Sequence, residues 1–511
     1  SQAGVIFVPQ GQPFLDFMSD VRSLSRQHDR LLSELANTKR MWNLALSVSA
    51  LSHQPALAID DDREEIALFP RRMQQWIRGA TIEPTVVFKE LLGQSVREIN
   101  RLIDMSENFL DQKIRQVHVG TFFFIDKVDQ ALRQLSQDAW VYVQAGLVEA
   151  AWDMMNANSH IKVHVTIRQE AFSNYESDIK ANLYGATTMI RYTEIELHKM
   201  LDQLASCYES CGSFQDFTML SVVKHPWRPF PEDSFRYIRR HTLGRPRDLV
   251  IIASELSAAR KTMNETEFCD LVNETSASGL ISNVFNEMSV FLNSLVEKSD
   301  RQRFFALIPH NILTRQEVLQ ICCRFNGLSE NDGEYLQANR DGMYHPFCDL
   351  HRVGLLGTIA REPSGDKVLQ RFKQPQDFVT GVEASLPDSP FYLIHPALDS
   401  HIGQFRTGNT HNLFQHVAVG EGLSWEDCFG LFCSVERCLF LVEDNDVKDA
   451  AYRLLNEARV VLASNRRPHL RSVLEASSQM EFLRARCADS GLDDLCYWIE
   501  ELLQFGDSPT P

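Results

Sequence analysis

Residues 119–130 read VGTFFFIDKVDQ, and the fold expected for this chain turns on them. Val119–Ile125 is an almost unbroken apolar run, the pattern of a strand buried on both faces of a parallel sheet. It stops at Asp126, and a second acid follows at Asp129. A carboxylate at the carboxyl end of a parallel strand faces the crevice where such sheets bind ligands, and there it can hold the water shell of Mg²⁺. A neighbouring acid can orient an attacking water. The plainer alternative is a strand running into a polar turn.

Working outward, Ile161–Ile167 (IKVHVTI) is a second strand candidate, and a helical stretch containing Trp140, Val143, Leu147, Ala150 and Trp152 separates the two. Strand, helix, strand at this spacing is the crossover unit of a parallel sheet. A short third strand is expected around Thr188–Tyr192, and the β-branched run Val5–Val8 reads as another. Arg168 follows the second strand, where a basic sensor could reach a terminal phosphate or merely solvate the strand end. HTLGRPRDLV at His241–Val250 opens a helix with Gly-x-Pro-Arg; Arg245 or Arg247 there offers a guanidinium fork suited to phosphate oxygens.

Around this core the periodicity is mostly helical. Helices are expected from Phe14 to about Ser52, from about Thr85 to Ile114, and after Thr193. Asp60–Glu65 reads as an exposed acidic loop, and HPWRPFPED at His225–Asp233 as a Pro-rich loop. In Asp300–Pro396, Thr314 and Glu317 form a capping box opening a helix, a second helix ends at Gly354, and a strand–turn–strand follows with its turn at Pro363–Asp366: a winged helix. The tail GDSPTP closes a helical C-terminal region. The expected domains are 1–201, an ATPase core; 202–299, a helical lid; 300–399, a winged helix; and 400–511, an α-helical domain.

The chain has 511 residues, 44% hydrophobic and 23% charged, with a formal charge of −17. That balance argues against a surface devoted to nucleic acid. No stretch approaches the ~20 uncharged apolar residues of a membrane span. SQAGVIFVPQ does not read as a secretion signal. Eleven scattered cysteines suggest free thiols in a reducing cytoplasm. Cys428, Cys433 and Cys438, and His345, Cys348 and His351, lack the Cys-x-x-Cys knuckle of strong zinc sites.

From about Glu83 to His401 the chain resembles the STAND/AAA+-like P-loop ATPases of bacterial anti-phage defence, and within them the ATPase subunits of the RADAR system. The resemblance rests on EPTVVFKELL, FFFIDKVDQAL, HIKVHVTIRQEAFSNYESDIK, IRYTEIELHKML, HTLGRPRDLV, HRVGLLG and YLIHPAL. It implies an α/β P-loop NTPase core with a parallel sheet, followed by the helical lid, winged helix and α-helical C-terminal domain. It also implies ATP and Mg²⁺ as ligands, Asp126 and Asp129 as catalytic acids with Asp126 on the metal, and Arg168, Arg245 and Arg247 on the nucleotide. Its partners would be further copies in a ring and an adenosine deaminase, with nucleic acid as a further candidate. The family's G-x-x-x-x-G-K-[ST] loop does not occur, and the expected topology puts it before Val5: either the chain begins downstream of the nucleotide cradle, which is the expectation, or it is a degenerate ATPase that cannot hydrolyse. A deaminase zinc signature is also missing, so that chemistry would belong to the partner. Two other readings stay open: a winged-helix DNA-binding regulator, whose recognition helix carries only Arg315 and Arg324, and a sensor whose C-terminal helices bind a phage protein.

Overall fold

The computed structural model describes residues 4–8, 28–57, 62–132, 135–223, 232–259, 263–308, 311–329, 345–361, 368–373, 386–389, 391–403, 435, 438–439, 442, 444–463, 469–490 and 492–507. The expected helix over Phe14–Gln27, the turn at Pro363–Asp366, most of the His225–Asp233 loop and the end of the tail lie outside them. The chain divides into two compact units. The first is 1–189 with 287–291 and 375–380; the second holds the remainder.

In the first unit β1 (Gly4–Val8), β2 (Thr121–Ile125) and β3 (Ile161–Val165) form a parallel sheet in that order, with Phe7, Phe124 and His164 in one row. The longest helices described in this unit are α1 (Leu35–Ser52), α2 (Pro84–Leu92), α3 (Val96–Arg115) and α4 (Gln137–Ala157). The single block expected over Thr85–Ile114 is two helices, because Ser95 and Glu98 make a capping box that restarts the helix after Gly93. Part of the expected acidic loop is also helical (Arg63–Ala67), and Asp62 forms a 2.6 Å ion pair with the buried Lys113.

The fold class expected from the sequence is overturned. The described residues are predominantly helical, the parallel sheet has three short strands, and no extended parallel P-loop core sheet is present among them. Thr188–Tyr192 forms no strand; Ile190 is 74% and Tyr192 51% exposed, so this run has no core to line. Nor is the sheet buried on both faces. Thr121, Phe123, Ile125, Ile161 and Val163 are buried, whereas Phe122 and Phe124 are half-buried and Lys162 and His164 exposed. The Phe124 ring stacks on His164 at 4.8 Å. A continuous apolar run thus marks a strand but not what covers each face.

Helix α4 packs on β3 and along α1. Trp42 of α1 is fully buried, stacks on Phe88 at 4.2 Å and donates its indole N–H to the Val143 carbonyl at 2.9 Å. Thr38 donates its hydroxyl to the Tyr142 carbonyl at 2.8 Å. Gly146 permits this approach, since a Cβ there would lie 2.5 Å from Thr38 Oγ1 and 2.8 Å from the Lys39 nitrogen. Gly146→Ala is therefore expected to cost about 1–3 kcal/mol by forcing the helices apart, read as a lower urea midpoint. An unchanged midpoint would count against so close a crossing.

In the second unit α6 (Glu194–Glu209), α7 (Ser234–Arg240), α8 (Pro246–Ala259) and α9 (Glu265–Thr275) share a core of Leu197, Leu201, Phe235, Ile238, Leu249 and Phe268; α5 (Gln169–Asn174) belongs to the first unit. A four-stranded antiparallel sheet combines β4 (Ile312–Thr314), β5 (Leu356–Arg361), β6 (Val368–Phe372) and β7 (Phe391–Ile394) in the order β4-β7-β5-β6. Thr314 and Glu317 form the capping box of α10 (Arg315–Phe325). Helix α11 (Phe347–Arg352) ends just before Gly354, which has a left-handed φ of +80°. Helices α12 (Asn445–Ala463), α13 (Ser478–Ser490) and α14 (Asp493–Asp507) pack Leu454, Leu455, Leu483 and Leu502 together. Cys496 is disulfide-bonded, which departs from an all-thiol reading. Among the described residues no helix is long and apolar enough to cross a membrane.

A buried histidine, His395, and a half-buried one, His401, give this unit a pH dependence. His395 accepts the Ala397 N–H at 3.1 Å, and burial, aided by the Arg240 charge, pushes its pKa down from 6.5 to about 3. Burial, with Arg301 and Lys298, takes His401 down to about 4. Both are neutral when folded and gain a proton on unfolding below pH 6.5. Their contribution is complete above that pH and is lost as pH falls towards the folded values, by up to about 1.4 kcal/mol per pH unit for each. The urea midpoint should therefore drop between pH 7 and pH 5; equal midpoints would contradict it.

Candidate functional site

The parallel register sets Ile125 beside Val165, so Asp126 and Thr166 leave the sheet side by side. The Thr166 N–H donates to the Ile125 carbonyl at 2.9 Å, extending the ladder by one bond. Its hydroxyl donates to Asp126 Oδ1 at 2.5 Å, and the Lys127 N–H donates to the same oxygen at 2.8 Å. The Asp126 side chain is thereby oriented at the exposed sheet edge. Lys127 takes a left-handed φ of 62°, uncommon for a residue with a side chain, and this turns the chain into the short helix Val128–Ala131. That helix carries Asp129, which is half-buried.

Arg168 starts α5 from the carboxyl side of β3, and its backbone N–H donates to Gln144 Oε1 at 3.3 Å. Its Nε lies 3.8 Å from Asp129 Oδ2 and 3.6 Å from Glu170 Oε2; its Nη2 lies 3.6 Å from Glu287 Oε2. Nη2 also donates to the Met288 sulfur at 3.5 Å, while Nε is buried with no hydrogen-bond acceptor. Three carboxylates thus surround one guanidinium, without a close fork between them. Asp129 and Arg168 are brought together as their spacing suggested. Glu170 and Glu287 were not anticipated: Glu170 lies in the first turn of α5, and nothing in the sequence links Glu287 to a strand end far upstream.

Arg245 and Arg247 belong to the second unit. Their turn is built locally. Gly244 has a φ of +68°, Thr242 Oγ1 donates to the Arg239 carbonyl at 2.7 Å and accepts the Gly244 N–H at 3.1 Å, and Asp248 accepts the Leu243 N–H at 3.2 Å. Pro246 then opens α8, a position that suits its fixed φ and missing N–H. Arg247 is exposed on the first turn and Arg245 half-buried before it. In α10, the other candidate binding helix, Arg315 is 2.7 Å from Asp388.

The residues fit Mg²⁺ in one respect. That ion is usually held by one or two carboxylates, with waters and substrate phosphates completing its shell. Asp126 has one oxygen held by two donors and sits at the exposed edge, which suits a single protein ligand. Among the described residues no group of three or more His, Cys, Asp or Glu is placed to hold a metal alone. Cys428 and Cys433 lie outside the described residues, and the His345 ring nitrogen Nδ1 is 3.2 Å from Asp349. No protein family, curated protein or solved structure matches this chain.

Proposed function

We propose that the carboxyl edge of the β1-β2-β3 sheet handles the phosphates of ATP, and that the chain is an ATP hydrolase. One observation carries the reading: Asp129 and Arg168, from segments that follow different strands, approach to 3.8 Å at the edge where parallel sheets present ligands. In this reading Asp126 anchors the metal, Asp129 orients and deprotonates the attacking water, and Arg168 stabilises charge on the terminal phosphate. Mg²⁺, when bound, neutralises phosphate charge.

The setting comes from the sequence resemblance alone: a cytoplasmic homo-oligomer that works with an adenosine deaminase partner in defence against phage. The test is direct. Arg168→Ala should weaken equilibrium binding of Mg-ATP by roughly 10- to 100-fold, the scale of a charge-assisted hydrogen bond. Affinity equal to that of the unaltered chain would remove this site from the reading.

A further inference from the structure

We infer that Glu170 and Glu287 are positioning residues that hold Arg168 in a resting state, which nucleotide phosphate must displace. The inference rests on the phosphate-site reading above and adds its regulation.

Charge-assisted N–H···O bonds run at about 2.7–2.9 Å. The contacts to Arg168 are all longer, at 3.6, 3.6 and 3.8 Å. The guanidinium is therefore held by attraction from several sides and not by a made fork. Its buried Nε lacks an acceptor, and the one hydrogen bond of its side chain goes to sulfur, a weak acceptor. A buried donor in this condition is poorly satisfied, and a phosphate would supply the missing oxygens in the planar geometry a guanidinium matches.

The same acids oppose that exchange. Three carboxylates lie within 4 Å of this one guanidinium, so an incoming phosphate meets negative charge at the group that would bind it. The side chains of Glu170 and Glu287 are 7% and 14% exposed, so water screens them less than it screens surface acids. Glu287 is the last residue of the helix Ser282–Glu287, far from α5 in sequence.

The experiment titrates the full chain with a fluorescent, non-hydrolysable ATP analogue in Mg²⁺. Glu287→Gln, nearly isosteric, should tighten binding roughly tenfold, the scale of one unit charge on the order of 10 Å away at an effective dielectric near 20. The gain should vanish in the Glu287→Gln/Arg168→Ala double variant. Glu170→Gln gives an independent second variant with the same expected direction. Unchanged or weaker binding in both glutamine variants would overturn the inference, as would equal tightening with and without Arg168. If Arg168→Ala weakens binding but neither glutamine variant tightens it, only the resting-state inference fails. If Arg168→Ala binds like the unaltered chain, the phosphate site fails with it.

Discussion

Asp129→Asn is expected to lower ATP turnover by roughly two to four orders of magnitude, the range a positioned general base contributes. The amide keeps the shape of the side chain but cannot take a proton from water. It also removes one of the three carboxylates around Arg168, so nucleotide binding should hold steady or tighten while turnover falls. Asp126→Asn should differ. Its amide can still accept from Thr166 and Lys127, but the anchoring charge is gone, so the loss should appear first as a higher Mg²⁺ requirement. Phosphate release by the full chain, measured over a Mg²⁺ series, separates the two. Turnover within twofold of the unaltered chain for both variants would sink the catalytic assignment.

Asp349→Ala should be the most costly single change to the second unit. Asp349 is fully buried, and its Oδ2 accepts three consecutive backbone N–H groups, from Asn293 at 2.9 Å, Ser294 at 2.6 Å and Leu295 at 2.8 Å. This one carboxylate ties α11 to a segment more than fifty residues earlier in the chain. Its Oδ1 lies 3.2 Å from His345 Nδ1. Truncation to Ala strips the acceptor from all three donors, and the expected loss is about 3–5 kcal/mol, as for other broken buried charge contacts. Asp349→Asn retains an acceptor oxygen and should cost clearly less. Urea unfolding followed by circular dichroism checks the order; equal midpoints for the Ala variant and the unaltered chain would contradict it.

Much of the local structure was legible in the residues. The runs GVIFV, TFFFI and IKVHV are strands, the segment between the last two is α4, and Thr314 with Glu317 caps α10. These signals are local: apolar runs bounded by polar turns, and a hydroxyl three residues before a carboxylate. The break between α2 and α3 was also written locally, in Ser95 and Glu98, but the apolar periodicity on either side masked it. Thr188–Tyr192 went the other way. Its composition suits a strand, yet among the described residues no neighbour pairs with it, because strand propensity has force only where a sheet face and a hydrogen-bonding partner exist.

The candidate site divides along the same line. Chain order and the crossover rule were enough to put Asp129 and Arg168 on the same edge, since parallel strands joined by a helix end on the same side. The sequence by itself determined those strand ends, the caps and the turn before α8, because each depends on residues a few positions apart. Only the tertiary structure decided that three strands pair in this sheet among the described residues, that one face stays half open, and that Glu287 reaches Arg168. Those outcomes depend on contacts between distant segments, whose closeness is set by packing of the whole unit and leaves no periodic mark in the chain.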